Sequence, residues 1–244
     1  MTIKIGLFGG SGKMGKSIEQ IICEIHSKNK LSPFLFVGKD ASSVFAVSAP
    51  SIKNIEKDVL ADVDVWIDFT SEQGLIELLK GTEKLKTPVV SGSTGLSPST
   101  FNLLKRSAKN RKIFWASNMS PGLFAFRQAM ESLKGISNFD FAIEEIHHIH
   151  KKDQPSGTAK TLHADLEKIV GKKVPTPNSF RLGGVFGVHT VYAASSNEVI
   201  TMQHSALNRT VFAEGSIKAA HWLVSQKNGL YSMDDLFFNK KQEN

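Results

Sequence analysis

Cysteine is almost missing from this chain of 244 residues, with Cys23 the only one. No internal disulfide can form, and that usage fits a reducing compartment. Cys23 itself follows Ile21 and Ile22 in an expected helix and reads as a small buried hydrophobe. No apolar run approaches the ~20 residues of a membrane span. Internal repeats and low-complexity tracts are also missing. The chain passes from Met1 directly into an apolar strand, so no signal peptide is expected and the expected location is cytoplasmic. Acidic residues are the scarcer sign, 23 against 30 Lys and Arg, for a net charge of +7. Such a balance admits nucleic acid, an anionic membrane or a small polyanion as partner. The basic residues are scattered apart from pairs such as Lys151-Lys152 and Lys240-Lys241, unlike the clustered footprint of a nucleic-acid binder. A small anion is therefore the expected partner, with neither nucleic acid nor membrane.

The remaining composition, 41% hydrophobic and 22% charged, is that of a globular protein. The length accommodates one large domain or two modest ones. Ile3 to Phe8 reads as a buried strand and Met14 to Ile25 as a helix, with Ile18, Ile21, Ile22 and Ile25 at helical spacing. Between them, Gly10-Ser11-Gly12-Lys13-Met14-Gly15 satisfies G-x-G-x-x-G, with Gly9 in an overlapping register. Glycines let the backbone turn tightly and approach a pyrophosphate, and the helix start offers free N–H donors and a positive dipole end. The motif alone is weak; placed between a strand and a helix it predicts dinucleotide binding. A second strand, Phe34 to Val37, ends at Gly38-Lys39-Asp40. An acid at that point would bind a ribose 2′-hydroxyl and a base would favour a 2′-phosphate. Lys39 comes first, which favours NADPH, while Asp40 keeps NADH open.

Ala41 to Ser51 reads as loop and Ile55 to Leu60 as a short helix. Val63 to Phe69 is a buried strand, followed by an N-cap signal at Thr70-Ser71-Glu72 and a helix from Gln73 to Leu85. Pro88 to Val90 is a strand that enters the small-residue loop Ser91-Gly92-Ser93-Thr94-Gly95. A helix from Pro98 to Ala108 and a strand from Lys112 to Ala116 follow. Strands alternating with helices predict a parallel sheet covered on both faces, with ligand beyond the carboxyl ends of the strands. The loops Gly9–Gly15, Thr70–Ser71, Gly92–Gly95 and Ser117–Ser120 would collect there.

Asn118-Met119-Ser120-Pro121-Gly122 reads as a crossover into a second domain, and Leu123 to Leu133 as an amphipathic helix. Then come a strand from Phe139 to His148, a helix from Ser156 to Val170, a loop from Gly171 to Asn178, and strands Val185 to Ala194 and Glu198 to Ser205 joined by a hairpin at Ser195-Ser196-Asn197. This predicts a mixed, largely antiparallel sheet, broad enough to make subunit contacts. After Arg209 the stretch Val211 to Ser225 is helical, Gly229 to Leu236 forms a short closing element, and the tail from Asn239 frays.

The densest chemistry lies between Glu145 and Ala159. Strand alternation puts Glu145 and His147 on one face and His148 on the other. A histidine titrates near neutral pH and suits proton transfer. Lys151 adds fixed positive charge, and Ser156-Gly157-Thr158 offers hydroxyls and N–H groups at a helix start suited to a carboxylate. His147, His148 and His150 invite a metal reading, but they lack helical i, i+4 spacing and an accompanying ligand set, so no metal is expected. Ser156-Gly157-Thr158 lacks the spacing and lysine of a phosphate loop. A third reading is a strand end with solvated basic residues.

The pattern Glu145-x-His147-His148-x-x-Lys151-x-Asp153-x-Pro155-Ser156-Gly157-Thr158-Ala159 resembles the signature of the dihydrodipicolinate reductases. The resemblance extends to Gly9-x-x-Gly12-Lys13-Met14-Gly15, Asp68-Phe69-Thr70, Gly92-Ser93-Thr94-Gly95, Asn118-x-Ser120, Gly187-x-His189-Thr190, Asn208-Arg209 with Phe212-Ala213, and Ala219-Ala220 to Trp222. It implies NAD(P)H-dependent reduction of a cyclic dicarboxylate imine in lysine biosynthesis. It implies His147 as general acid and Lys151 as its assistant or as a substrate anchor. His148, Ser156, Gly157, Thr158, Thr94 and Arg209 would hold the carboxylates. The cofactor set would be Gly9, Gly10, Gly12, Lys13, Met14, Gly15, Lys39, Phe69, Thr70, Gly92, Thr94, Ser117, Asn118 and Ser120. It further implies a homotetramer built through the second sheet. The expected architecture is α/β: a Rossmann-type parallel-sheet domain from residues 1–120 plus 210–244, and an α+β substrate and oligomerisation domain from 121–209. The chain departs from the family pattern at Gly38-Lys39, in the short Gly171–Arg181 segment, and at Gly184 and Val188, where the family carries Asp and Glu. Gln154 replaces a common Ala. Two alternatives remain: another two-domain dehydrogenase acting on an amino acid or imine, or a non-catalytic dinucleotide-binding regulator.

Overall fold

The computed structural model describes residues 3–28, 34–36, 46–47 and 60–238. Lys39, Asp40, nearly all of the expected Ile55–Leu60 helix, the tail from Asn239 and the Cys23 side chain lie outside what is described. The chain divides into two compact units, Met1–Met119 with Phe212–Asn244, and Ser120–Val211.

The first unit is built on β1 (Ile3–Phe8), β2 (Phe34–Phe36), β3 (Ala46–Val47), β4 (Val65–Asp68), β5 (Val89–Ser91) and β6 (Lys112–Trp115), with β11 (Gly229–Tyr231) returning after the second unit. The sheet order is β11-β6-β5-β4-β1-β2, with β3 also on β1, and every pairing is parallel. Its strands read as continuous apolar runs because both faces are covered, and β4 is buried at every position. Helices α1 (Lys13–Lys28), α2 (Glu72–Gly81) and α3 (Pro98–Ser107) alternate with the strands. Trp66, Leu75, Leu78, Leu79, Leu104 and Ile113 form one core and are almost wholly buried. Two expectations need correction here. Ala46–Val47 pairs with Leu7 and Phe8 and is not loop. The helix expected to reach Leu85 stops at Gly81, where Thr82 caps it and Arg111 binds the Leu79 carbonyl. The buried guanidinium donates to Thr82 Oγ1 at 2.8 Å and to the Leu79 carbonyl at 2.5 Å, which satisfies groups that a helix end leaves unpaired.

The second unit packs α4 (Pro121–Met130), a 3₁₀ turn (Glu131–Ile136) and α5 (Gly157–Val170) on a sheet of β7 (Asp140–His147), β8 (Asn178–Arg181), β9 (Gly187–Ala194) and β10 (Val199–Ala206). The order is β10-β9-β7-β8; β8 runs parallel to β7 and the other pairs are antiparallel. The stretch expected as helix to Leu133 therefore tightens to 3₁₀ after Met130. Leu123, Phe126, Phe141, Ile143, Leu162, Leu166 and Val191 make a separate core. The chain then leaves through α6 (Thr210–Leu223) and, after β11, ends its described part in α7 (Met233–Phe238).

Candidate active site

In the first unit the loops that follow β1, β4 and β5 interlock. Gly9 has a φ of +80°, and a Cβ there would strike Thr70 Cγ2. A Cβ on Gly15 would overlap the Gly10 backbone, so α1 packs directly on the turn. Gly12 N–H closes that turn onto the Gly9 carbonyl at 3.0 Å. The first turn of α1 holds no acidic residue, leaving its positive end uncompensated by side chains. Glycine packing of this kind fits a dinucleotide pyrophosphate.

Asp68, fully buried at the end of β4, ties the next two loops together. It accepts from Thr70 N–H at 3.0 Å, Thr70 Oγ1 at 2.5 Å, Ser91 Oγ at 2.7 Å and Ser93 Oγ at 2.8 Å. Burial pushes its pKa up against the pull of these four bonds. Gly92 gives room to the Phe69 ring, since a Cβ would overlap it. Trp115 Nε1 donates to the Ser93 carbonyl at 3.0 Å. Thr94 is exposed, and Ser117, Asn118 and Met119 continue from β6. Ser120 opens the second unit as N-cap of α4, accepting from Leu123 N–H at 3.1 Å.

The second unit carries a polar end on an otherwise apolar sheet face. On β7 the inward positions run Phe141, Ile143, Glu145, His147; on β9 they run Ala193, Val191, His189, Gly187. The stripe changes from hydrocarbon to titratable side chains as it approaches the start of α5. One row across the sheet is Ser179, Glu145, His189 and His204, and His147 stands opposite Arg181 in the next.

Glu145 is wholly buried. Its Oε2 contacts His147 Nδ1, and its Oε1 accepts from Arg181 Nη2 at 3.0 Å and Ser156 N–H at 3.2 Å. Burial opposes its charge, but Ser179, Arg181, His147 and Ser156 outweigh that and hold its pKa below the ordinary carboxylate value. Burial lowers the pKa of His147, aided by Lys151 and Arg181 and resisted by Glu145. Gly187 keeps space beside the other ring nitrogen: a Cβ there would lie 3.1 Å from His147 Nε2. The His189 ring meets His147 edge-on at 5.1 Å between centroids, and its Nε2 lies 3.3 Å from Ser156 Oγ. Burial, then the neighbouring His147, pushes the His189 pKa down to about 4.

Ser156 caps α5 by accepting from Ala159 N–H at 3.1 Å. Gly157 N–H donates to Asp153 Oδ2 at 3.3 Å, and Asp153 Oδ1 pairs with Lys151 Nζ at 2.9 Å. The structure therefore gathers His147, Lys151, Ser156 and Gly157 around one strand-to-helix turn, with Thr158 next in the helix. His148 begins that turn, its carbonyl accepting from Lys151 N–H at 3.1 Å. Arg209 instead stacks on the Phe186 ring, 5.1 Å from its centroid.

Glu145, His147 and His189 lie close enough to share a metal ion. Their chemistry argues against one: both Glu145 oxygens already face His147, Arg181 and Ser156, and a cation would sit against a guanidinium. The loop expected from Gly171 to Asn178 gives way at Asn178 to β8, whose four residues align with Glu144 to His147. Sequence reasoning missed that strand and with it Arg181, and it assigned no part to Glu145 or His189 beyond adjacency and motif. The available signal was the alternation itself, which puts a carboxylate and an imidazole at inward positions.

Both halves of the chain match family models. Residues 3–119 match "Dihydrodipicolinate reductase, N-terminus" and 122–237 match "Dihydrodipicolinate reductase, C-terminus". A 4-hydroxy-tetrahydrodipicolinate reductase of Bdellovibrio bacteriovorus is 47% identical over 241 residues, covering 99% of each chain. One from Campylobacter jejuni subsp. doylei is 34% identical, covering 98% of each. A dipicolinate-bound dihydrodipicolinate reductase from Paenisporosarcina sp. TG-14 shares the fold, with a TM-score of 0.73, 20% identity, and coverage of 97% of this chain and all of that one. The chain belongs to the dihydrodipicolinate reductase family.

Proposed function

We propose that this protein reduces 4-hydroxy-tetrahydrodipicolinate to tetrahydrodipicolinate with a nicotinamide dinucleotide, in lysine and diaminopimelate biosynthesis. The observation that carries this reading is the buried Glu145–His147 pair beside Lys151 and a capped helix start, in a chain whose two halves both match the family. The glycine turn before α1 and the Asp68-tied loops suit the dinucleotide. The dinucleotide supplies the hydride.

The residues of the second unit do the rest. Substrate carboxylates are held by Lys151 and by the start of α5 through Ser156, Gly157 and Thr158, with His148 and Arg209 contributing. Gly157 N–H and Lys151 are now engaged by the Asp153 carboxylate. That contact supports the assignment, since the same two groups already cradle one carboxylate. His147 delivers the proton from Nε2, because Nδ1 is turned to Glu145. Burial disfavours the charged ring in the free protein. Two incoming carboxylates raise its pKa and charge it when the proton is needed. The overall reaction takes up one hydride and one proton and releases water.

NADPH is the preferred cofactor on the argument from Lys39. Oligomer contacts run through the second sheet, where Val199, Ile200 and Phe180 are exposed apolar side chains, and the assembly is a homotetramer. The enzyme works in the cytoplasm on a small dicarboxylate, independent of nucleic acid and membranes; no helix among the described residues is long and apolar enough to cross a membrane. The test follows nicotinamide absorbance with substrate generated in place from pyruvate and aspartate semialdehyde. The expected result is substrate-dependent oxidation, faster with NADPH, with the preference narrowed in Lys39→Glu. No oxidation above background removes the proposal, and an unchanged preference in Lys39→Glu removes the cofactor argument.

A further inference from the structure

Arg181 lies on β8, away from every residue of the signature stretch in sequence, yet Nε and Nη2 of its guanidinium are directed into that stretch. Nε donates to the Lys151 carbonyl at 3.0 Å. Nη2 donates to the Asp153 carbonyl at 2.5 Å and to Glu145 Oε1 at 3.0 Å. Nη1 donates to the carbonyl of its own neighbour, Phe180, at 2.6 Å. The side chain is largely buried, at 11% exposure, and Glu145 is completely so. Two neighbouring backbone contacts hold β8 and its following turn in place: Leu182 N–H donates to the His147 carbonyl at 2.8 Å and Ile149 N–H to the Gly183 carbonyl at 3.2 Å.

These contacts connect two parts of the site. One is the carboxylate that receives His147 Nδ1. The other is the turn that carries Lys151. A carboxylate at Nδ1 fixes which nitrogen bears the proton and how the ring is turned. It does so only if the carboxylate cannot rotate, and here Arg181 and Ser156 N–H restrain it from the Oε1 side. The turn, in turn, sets how far Lys151 Nζ stands from the ring. A planar fork can satisfy a carboxylate and two carbonyls in one plane, whereas an ammonium cannot.

We propose that Arg181 is a positioning residue for the reaction: one guanidinium holds Glu145 against His147 Nδ1 and ties down the turn bearing Lys151, so that proton donor and substrate cation keep a fixed relation. This rests on the proposed function for its catalytic meaning. It goes beyond that reading by giving a task to a side chain outside the signature.

The test uses the full chain as wild type, Arg181→Met and Arg181→Lys. Turnover in Arg181→Met is expected to fall roughly 10- to 100-fold, the usual cost of misplacing a reacting group from outside the site. KM for NADPH should stay within a factor of about two, since nothing in the glycine turn is altered. Millimolar guanidinium should restore part of the lost turnover in Arg181→Met, and sodium at equal ionic strength should not. Arg181→Lys should be as slow as Arg181→Met, because charge without the fork is not enough. Nitrogen NMR of the His147 ring provides a second readout that needs no activity. Wild type should show the proton on Nδ1, and Arg181→Met a mixture of tautomers. Full turnover in Arg181→Lys would overturn the proposal, as would an unchanged His147 tautomer in Arg181→Met. Should the wild type fail to reduce the substrate, the proposed function falls, while the tautomer comparison still decides whether Arg181 orients His147.

Discussion

His189 makes the fold sensitive to mild acid. Its ring is 5% exposed, and burial followed by the nearby His147 lowers its pKa from an ordinary 6.5 to about 4. The folded protein thus keeps His189 neutral where the unfolded chain would protonate it. Stability from this residue is present above pH 6.5 and is lost as pH falls towards about 4. A displacement of that size corresponds to roughly 3 kcal/mol at full extent, and to about 2 kcal/mol between pH 7 and pH 5. The loss is large beside a typical total stability of ~5–15 kcal/mol. The assay is urea unfolding followed by far-UV circular dichroism at pH 7, 6 and 5, at one protein concentration. Wild type is compared with His189→Gln, which keeps a polar group near Ser156 but cannot titrate. Glu145, Asp153 and His147 titrate in both proteins, so the difference between the two curves isolates His189. Wild type should lose about 2 kcal/mol more than the variant over that range. Parallel curves would refute the argument that a buried neutral imidazole sits at this position.

Two further outcomes follow from the same geometry. Because burial lowers the His147 pKa in the free enzyme and a bound dicarboxylate raises it, the alkaline fall of kcat/KM should come at lower pH than that of kcat; coincident limbs in the two profiles would contradict the assignment of the proton donor. Gly15→Ala puts a methyl into the Gly10 backbone, so it should raise the dissociation constant for NADPH by at least ~10-fold, measured by quenching of protein fluorescence, and an unchanged constant would separate that turn from the cofactor.

How much of this was legible in the sequence depended on whether a feature is local. The β1–turn–α1 unit could be read because hydrophobic period, glycines and helix start lie within one stretch. The Glu145–His147 contact could also be read, since strand alternation alone places both side chains on one face. β8 could not. Asn178-Ser179-Phe180-Arg181 is a short, half-exposed edge strand preceded by Pro175, Thr176 and Pro177, which reads as loop. What makes it a strand is its pairing with β7, and pairing is a property of the fold. The same register puts Arg181 beside His147 and His189 beside Glu145. His189 was visible only as part of a motif, with nothing local to say what it faced. Helix α2 shows the converse error: the apolar period continues to Leu85, but Arg111, 29 residues beyond Thr82, closes the helix early.

The most direct measurement is transfer of deuterium from the nicotinamide ring into product. Wild type is incubated with NADPH deuterated at the transferring carbon and with substrate generated in place, and the tetrahydrodipicolinate is analysed by mass spectrometry. One deuterium per product is expected. Transfer in His147→Gln should be slower by roughly 10²–10⁴-fold, the contribution of a positioned proton donor, with NADPH binding unchanged. Unlabelled product, or labelled product formed at the wild-type rate by His147→Gln, would contradict the account.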